Sequence, residues 1–167
     1  MVLTIRPAAH AELATLQPLI QRAYRGDSAR AGWTHEADLL DGERTSQAEL
    51  AALIDDADER LLVVFDGGAM IGCVRVANLG NRLAYLGLLC VDPLLQAGGY
   101  GKQIIAAAED IARTEFAADR IEMTVIAKRG ELIAYYERRG YVRSSERRDF
   151  PMPVDPPLFM AVLEKPL

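Results

Sequence analysis

The stretch that most constrains this chain is Leu83 to Val91, a nearly continuous apolar run, followed by a glycine-rich turn and a long helical pattern. A strand that shows apolar side chains on both faces belongs inside a sheet covered by helices on both sides. Pro93 ends the run. From Tyr100 to Phe116, Ile104, Ile105, Ala108, Ile111, Ala112 and Phe116 fall on one helical face. Arg120 to Ile126 then alternates through Ile121, Met123 and Val125, as a strand does. A strand, a helix and a second strand in this order predict a parallel pair joined by a right-handed crossover.

The rest of the chain extends that unit. Val2 to Arg6 reads as a short strand stopped by Pro7. His10 to Tyr24 reads as a helix with Leu13, Leu16, Ile20, Ala23 and Tyr24 on one face. Ser46 and Glu49 fit a capping box that opens a second helix through Leu50, Leu53 and Ile54. Arg60–Phe65 and Ala69–Ala77 form a hairpin about Asp66-Gly67-Gly68, and Leu79-Gly80-Asn81 marks a second turn. Glu131 to Arg139 is a helix stopped by Gly140, which can take the left-handed cap. Tyr141–Ser145 and Leu158–Leu163 are the last strands, separated by a stiff segment with Pro151, Pro153, Pro156 and Pro157. The expected order is β-α-α-β-β-β-α-β-α-β-β, a mixed α/β sheet with helices on both faces. The 167 residues fit one domain, 1–167, with no internal repeat.

Composition excludes several classes. The net charge is −5, so a general basic footprint for nucleic acid is missing. The arginines at 138, 139, 143, 147 and 148 are interrupted by Glu137, Glu146 and Asp149, which suits a solvated face. The two cysteines, Cys73 and Cys90, lie in apolar runs and read as buried small hydrophobes of a reducing compartment. His10 and His35 lack ligand spacing, and Leu39 stands where a metalloprotease helix needs its second histidine, so no metal is expected. No signal peptide or long apolar span is visible, which makes the cytoplasm the expected location and excludes a membrane.

The turn from Val91 to Lys102 leaves a buried strand and enters a helix. Glycines there admit close approach of a ligand, and the free N–H groups of the first helical turn suit an anion such as a pyrophosphate. Lys102 opposes the helix dipole, so its place in the first turn favours a ligand over helix stability. A Walker loop fails at Gln96 and Gln103, and a dinucleotide fingerprint fails at Ile104. The pattern Val91-x-Pro93-x-x-Gln96-x-x-Gly99-x-Gly101 resembles the acyl-CoA loop of GCN5-related N-acetyltransferases. Ala134-Tyr135-Tyr136-Glu137-Arg138-Arg139-Gly140-Tyr141 resembles the second motif of that family, an aromatic-rich helix ending in glycine and an aromatic.

The resemblance implies a single-domain GNAT-like fold, with the pantetheine of acetyl-CoA between two splayed parallel strands, 83–91 and 120–126. It implies pairing of pantetheine amides with the backbone of Leu89 and Val91. Gln96, Ala97, Gly98, Gly99, Tyr100, Gly101 and Lys102 would hold the pyrophosphate. By the family's motif, Tyr136 is the acid that protonates the departing thiolate. Two departures stand out: Arg129 occupies the position where some relatives have Asn, and Ala84–Leu89 carries no carboxylate to act as base. With no activated Cys–His pair, transfer would be direct, to a small-molecule primary amine. A homodimer is compatible with this fold, but no interface is legible.

The acceptor side falls to the segment between the first two helices. Trp33, Thr34, Glu36 and Arg44 are its candidate binding residues, and Glu36 is also the candidate base. Residues 27 to 43 carry Asp27, Glu36, Asp38, Asp41 and Glu43 against Arg30, a wall that would attract a cationic amine. The planar fork of Arg44 suits an acceptor carboxylate, or else a salt bridge to Glu43 or Asp41. The alternative to catalysis is a module of the same fold that binds acyl-CoA without turnover, which the missing strand carboxylate favours and Tyr136 opposes.

Overall fold

The computed structural model describes residues 3–25, 43–95, 98–151 and 153–167. Its strands are β1 (Leu3–Pro7), β2 (Glu59–Asp66), β3 (Ala69–Gly80), β4 (Leu83–Val91), β5 (Arg120–Ile126), β6 (Val142–Asp149) and β7 (Phe159–Pro166). Its α-helices are α1 (Leu13–Tyr24), α2 (Gln47–Asp55), α3 (Tyr100–Phe116) and α4 (Gly130–Arg138). One seven-stranded sheet runs in the order β1-β2-β3-β4-β5-β7-β6. The β4–β5 pair is parallel, as the crossover through α3 requires, and the other neighbours are antiparallel.

Strand alternation sorts the core into two layers. Leu62, Val64, Val74, Val76 and Leu86 meet Ile104, Ile105, Ala108 and Ala112 of α3 and Ile133 of α4 on one face. Leu61, Val63, Cys73 and Cys90 meet Leu16, Leu19, Ile20 and Leu50 of α1 and α2 on the other. Pro18 forfeits an intrahelical hydrogen bond inside α1. The fully buried stripe of Leu16, Leu19 and Ile20 outweighs that loss.

Several local expectations change. The second turn is Asn81-Arg82, not Leu79-Gly80-Asn81. Gly80 still pairs with Leu83, and Asn81 and Arg82 both have positive φ, at 53° and 62°. Two left-handed residues match the twist of a tight hairpin, and asparagine tolerates that region well. Only half of the capping box forms: Ser46 accepts from the Glu49 N–H at 3.1 Å, while the Glu49 carboxylate accepts from the Thr45 hydroxyl. Tyr141 does not begin β6, which runs on to Asp149. Its ring is buried and its hydroxyl donates to Glu109 at 2.9 Å, and Lys165 donates to the same carboxylate at 2.9 Å. This network ties α3 to β7 beneath the end of α4.

The cysteines are free, buried and directly opposed on β3 and β4, with sulfurs 3.5 Å apart. The contact with Cys90, then burial, pushes the Cys73 thiol up. A protonated, enclosed thiol is a poor nucleophile.

Candidate active site

The site begins with a change of register. Between the pairs Cys73–Cys90 and Arg75–Gly87, one residue of β3, Val74, faces two of β4, Leu88 and Leu89. The extra residue is a bulge, and Leu88 within it has φ of +49°. A bulge bends its strand and adds local twist. β4 and β5 accordingly pair only at Leu83–Arg120, Ala84–Ile121 and Tyr85–Glu122. Beyond these residues each strand keeps its outer neighbour, β4 as far as Val91–Gly72 and β5 as far as Ile126–Met160. The two strands therefore part from each other while remaining anchored to the sheet.

A cavity of about 110 Å³ fills the opening, lined by residues 86–89 and 123–126 with Tyr24, Arg129, Leu132 and Tyr136. The inner edges of the parted segments have no ladder partner across the gap, so backbone polar groups are available there. One is already engaged: the Tyr24 hydroxyl donates to the Leu89 carbonyl. Val91 is buried and pairs outward with Gly72.

Tyr136 reaches the gap from α4, whose buried face is Ile133 and Tyr136. Its ring packs edge-on against Tyr135 and Tyr141, at centroid distances of 5.5 and 6.2 Å. Among the described residues nothing hydrogen-bonds its hydroxyl, although the side chain is only 5% exposed. Burial, and then the neighbouring Tyr135, push this phenol well above its ordinary range, against a small opposing effect of Arg129. The group stays protonated and has no hydrogen-bond partner among the described residues, which is unusual for a buried tyrosine.

At the outer end of β4 the chain turns through Pro93–Leu95 to α3. Gly99 caps α3 with φ of +76°, and no side chain caps the helix. Its first N–H groups are thus open to an anion. Gly98 packs beneath the Tyr100 ring, where a β-carbon would stand 2.5 Å from that ring. The Tyr100 hydroxyl donates to Asp66 at 3.3 Å, Gly101 is buried, and Lys102 is exposed beside the turn. Gln96 and Ala97 lie outside the described residues, as do Trp33, Thr34, Glu36 and the acids at 27, 38 and 41.

Arg44 lies within the description. Its N–H donates to Gln21 at 2.9 Å, and its guanidinium covers the Tyr24 ring at 4.9 Å. It lines the gap and a second cavity of about 520 Å³ that opens beside it. Tyr85, Thr124 and Met160 are shared by both cavities. The Tyr85 and Thr124 hydroxyls bond each other at 2.8 Å across the point where the strands part. Sequence reasoning missed Arg75, Tyr85 and Thr124. Arg75 had a legible signal, as one charge between Val74 and Val76 in an otherwise apolar strand. Among the described residues no group of side chains forms a metal cluster, and no helix is long and apolar enough to cross a membrane.

The model of the acetyltransferase (GNAT) family matches residues 19–141, a span that includes the parted strands, the glycine turn and α4. The chain belongs to the GNAT acetyltransferase family. Solved structures agree on the GNAT fold. A spermidine N-acetyltransferase SpeG chimera from Vibrio cholerae and hSSAT superposes with a TM-score of 0.76 at 20% identity, covering 98% of this chain and 95% of that one. The ribosomal-protein-S18-alanine N-acetyltransferase from Escherichia coli gives 0.74 at 17% identity, with 99% and 94% covered. YncA from Salmonella typhimurium, solved with its cofactor acetyl-CoA, gives 0.74 at 14% identity, with 100% and 95% covered. No curated protein sequence matches the chain.

Proposed function

We propose that the chain transfers an acetyl group from acetyl-CoA directly to the primary amine of a small molecule. The observation that carries this reading is the gap between β4 and β5, with the buried side chain of Tyr136 on its wall. Acetyl-CoA fits the residues present. The open N-terminus of α3, from Gly98 to Lys102, suits its pyrophosphate, and the backbone of Leu89 and Val91, at the end of β4 that has parted from β5, would meet its pantetheine amides. Gln96 and Ala97 belong to the same loop by sequence. When bound, acetyl-CoA supplies the activated acyl group.

The chain's own part is to position and to donate. A protonated phenol on the wall of the gap is placed to give its proton to a departing thiolate, and Tyr136 takes that role. The Tyr85–Thr124 pair and Arg44 stand at the junction of gap and acceptor cavity, where the amine enters. Arg44 binds the acceptor, with Trp33, Thr34 and Glu36 of the preceding segment. Glu36 is the proposed base that keeps the amine neutral for attack. A cavity of about 520 Å³ suits a small molecule, since ligand pockets span roughly 300–1,000 Å³.

The test pairs calorimetry of acetyl-CoA binding with a thiol-release assay over a broad amine panel. Binding together with amine-dependent release of CoA is expected. Binding without release over the whole panel would leave a module that holds acyl-CoA and does not turn it over.

A further inference from the structure

The acceptor cavity carries a charge pattern that narrows the acceptor. Its described ionisable lining is Arg25, Arg44, Arg75 and Arg148 against Glu43, Glu122 and Asp149. Two of these guanidiniums are held from behind. Arg148 pairs with the buried Glu122 at 2.7 Å and also with Glu146. Arg75 gives Nε and Nη2 to the two oxygens of Glu59, at 2.7 and 2.5 Å, a two-pronged bond that fixes the plane of the fork.

That arrangement leaves the far edge of Arg75 unused. Nη1 makes no hydrogen bond among the described residues, and it lies 3.6 Å from where a β-carbon on Gly87 would sit. Gly87 is the cross-strand partner of Arg75 and lines the gap between β4 and β5. Gly87 adds no side chain between Nη1 and β4, and the Tyr85 ring, 3.0 Å from the same β-carbon position, is the other neighbour there. Arg75 also flanks the Tyr85 ring at 5.5 Å, and Tyr85 borders both cavities. A fixed guanidinium with a free N–H edge is a carboxylate receptor. The strand of Arg75 is the direct neighbour of β4, whose residues 86–89 line the gap where the acyl group would be delivered.

We infer that the acceptor is a primary amine that also bears a carboxylate, of amino-acid size, and that Arg75 binds the carboxylate while the amine reaches the gap beside Gly87. This rests on the acetyltransferase reading above and adds the class of its acceptor. Glu59 is a positioning residue, holding the plane of the fork. An acceptor with several positive charges and no carboxylate, such as spermidine, would meet the same guanidiniums unfavourably.

The experiment compares matched pairs of acceptors in the thiol-release assay, each an amino acid and the amine left by removing its carboxylate, with spermidine alongside. The carboxylated members should show the higher kcat/KM by roughly 10- to 100-fold, the range of a hydrogen bond to a charged group. The deaminated acids should inhibit competitively against the acceptor. Arg75→Gln should shrink the preference by a similar factor and abolish that inhibition, and Arg75→Lys should restore part of both. Wild-type pairs decide the matter even where a variant fails to fold. Equal or better use of plain amines or spermidine overturns the inference and leaves the transferase reading standing. Acetyl-CoA binding with no acetylation of any amine overturns both.

Discussion

Over their first three residues β4 and β5 form an ordinary parallel ladder, and over the rest they separate. The paired half is enclosed: Ala84 and Ile121 are fully buried, and the layer of α3 covers them. The parted half exchanges one ladder for a gap, and its anchorage comes from β3 and β7 on the outer sides. Two strands thus combine a paired base with a binding slot; pairing ends at Tyr85–Glu122, and the bulge at Leu88 bends β4 within the open half. The comparison teaches a division of labour. Substitutions in the paired half and its anchors should act on stability, and those along the slot should act on binding and turnover.

The largest effect should come from the anchor of the open half. A β-carbon on Gly72 would stand 2.3 Å from the Cys90 carbonyl oxygen, a backbone atom with no freedom to move. Gly72→Val should therefore destabilise by more than about 4 kcal/mol and give little soluble protein. Near-normal urea unfolding of that variant would mean that β4 does not need its close contact with β3. Next, Ile121→Ala in the paired half should lose roughly 2–5 kcal/mol by chemical denaturation while its acetyl-CoA affinity, read by calorimetry, stays put. A matching loss of affinity would erase the distinction between the halves.

Gly99→Val addresses the slot's far end. Its φ of +76° suits glycine, and a β-branched residue there is strained and re-aims the first N–H groups of α3. Acetyl-CoA binding should weaken roughly tenfold, or about 1.4 kcal/mol, with only a small fall in Tm. Unchanged affinity would remove the anion site from the turn. The smallest effect is an absence of change with pH. Because burial raises Tyr136, kcat should not fall on the alkaline side below pH about 10, the ordinary range of a phenol. Its burial likewise contributes stability that is complete below that range and lost as pH rises above it. A decline in kcat near pH 8 would point to a different acid.

The crossover unit was the most legible part of the sequence. β4, α3 and β5 start and end where the apolar runs, Pro93 and the glycines place them, because burial on both faces leaves little freedom in register. The edges were less legible. Tyr141 looked like a strand residue and became a core tyrosine because Glu109, 32 positions earlier, supplies its acceptor. The turn at Asn81-Arg82 lay one residue later than glycine alone suggests, because asparagine can also take positive φ. Within the site, the glycine turn and Tyr136 were readable as motifs. Arg75 showed only as a lone charge between Val74 and Val76; what it does depends on Glu59 and Gly87 on two neighbouring strands, and cross-strand register is a tertiary fact.

The central claim is that the gap holds acetyl-CoA and that Tyr136 protonates what leaves. Tyr136→Phe keeps the ring and its packing against Tyr135 and Tyr141 and removes only the hydroxyl. Steady-state kinetics beside calorimetry of acetyl-CoA should show kcat lowered roughly 100-fold or more, with the dissociation constant of acetyl-CoA within about twofold of wild type. A wild-type kcat in Tyr136→Phe would contradict the account.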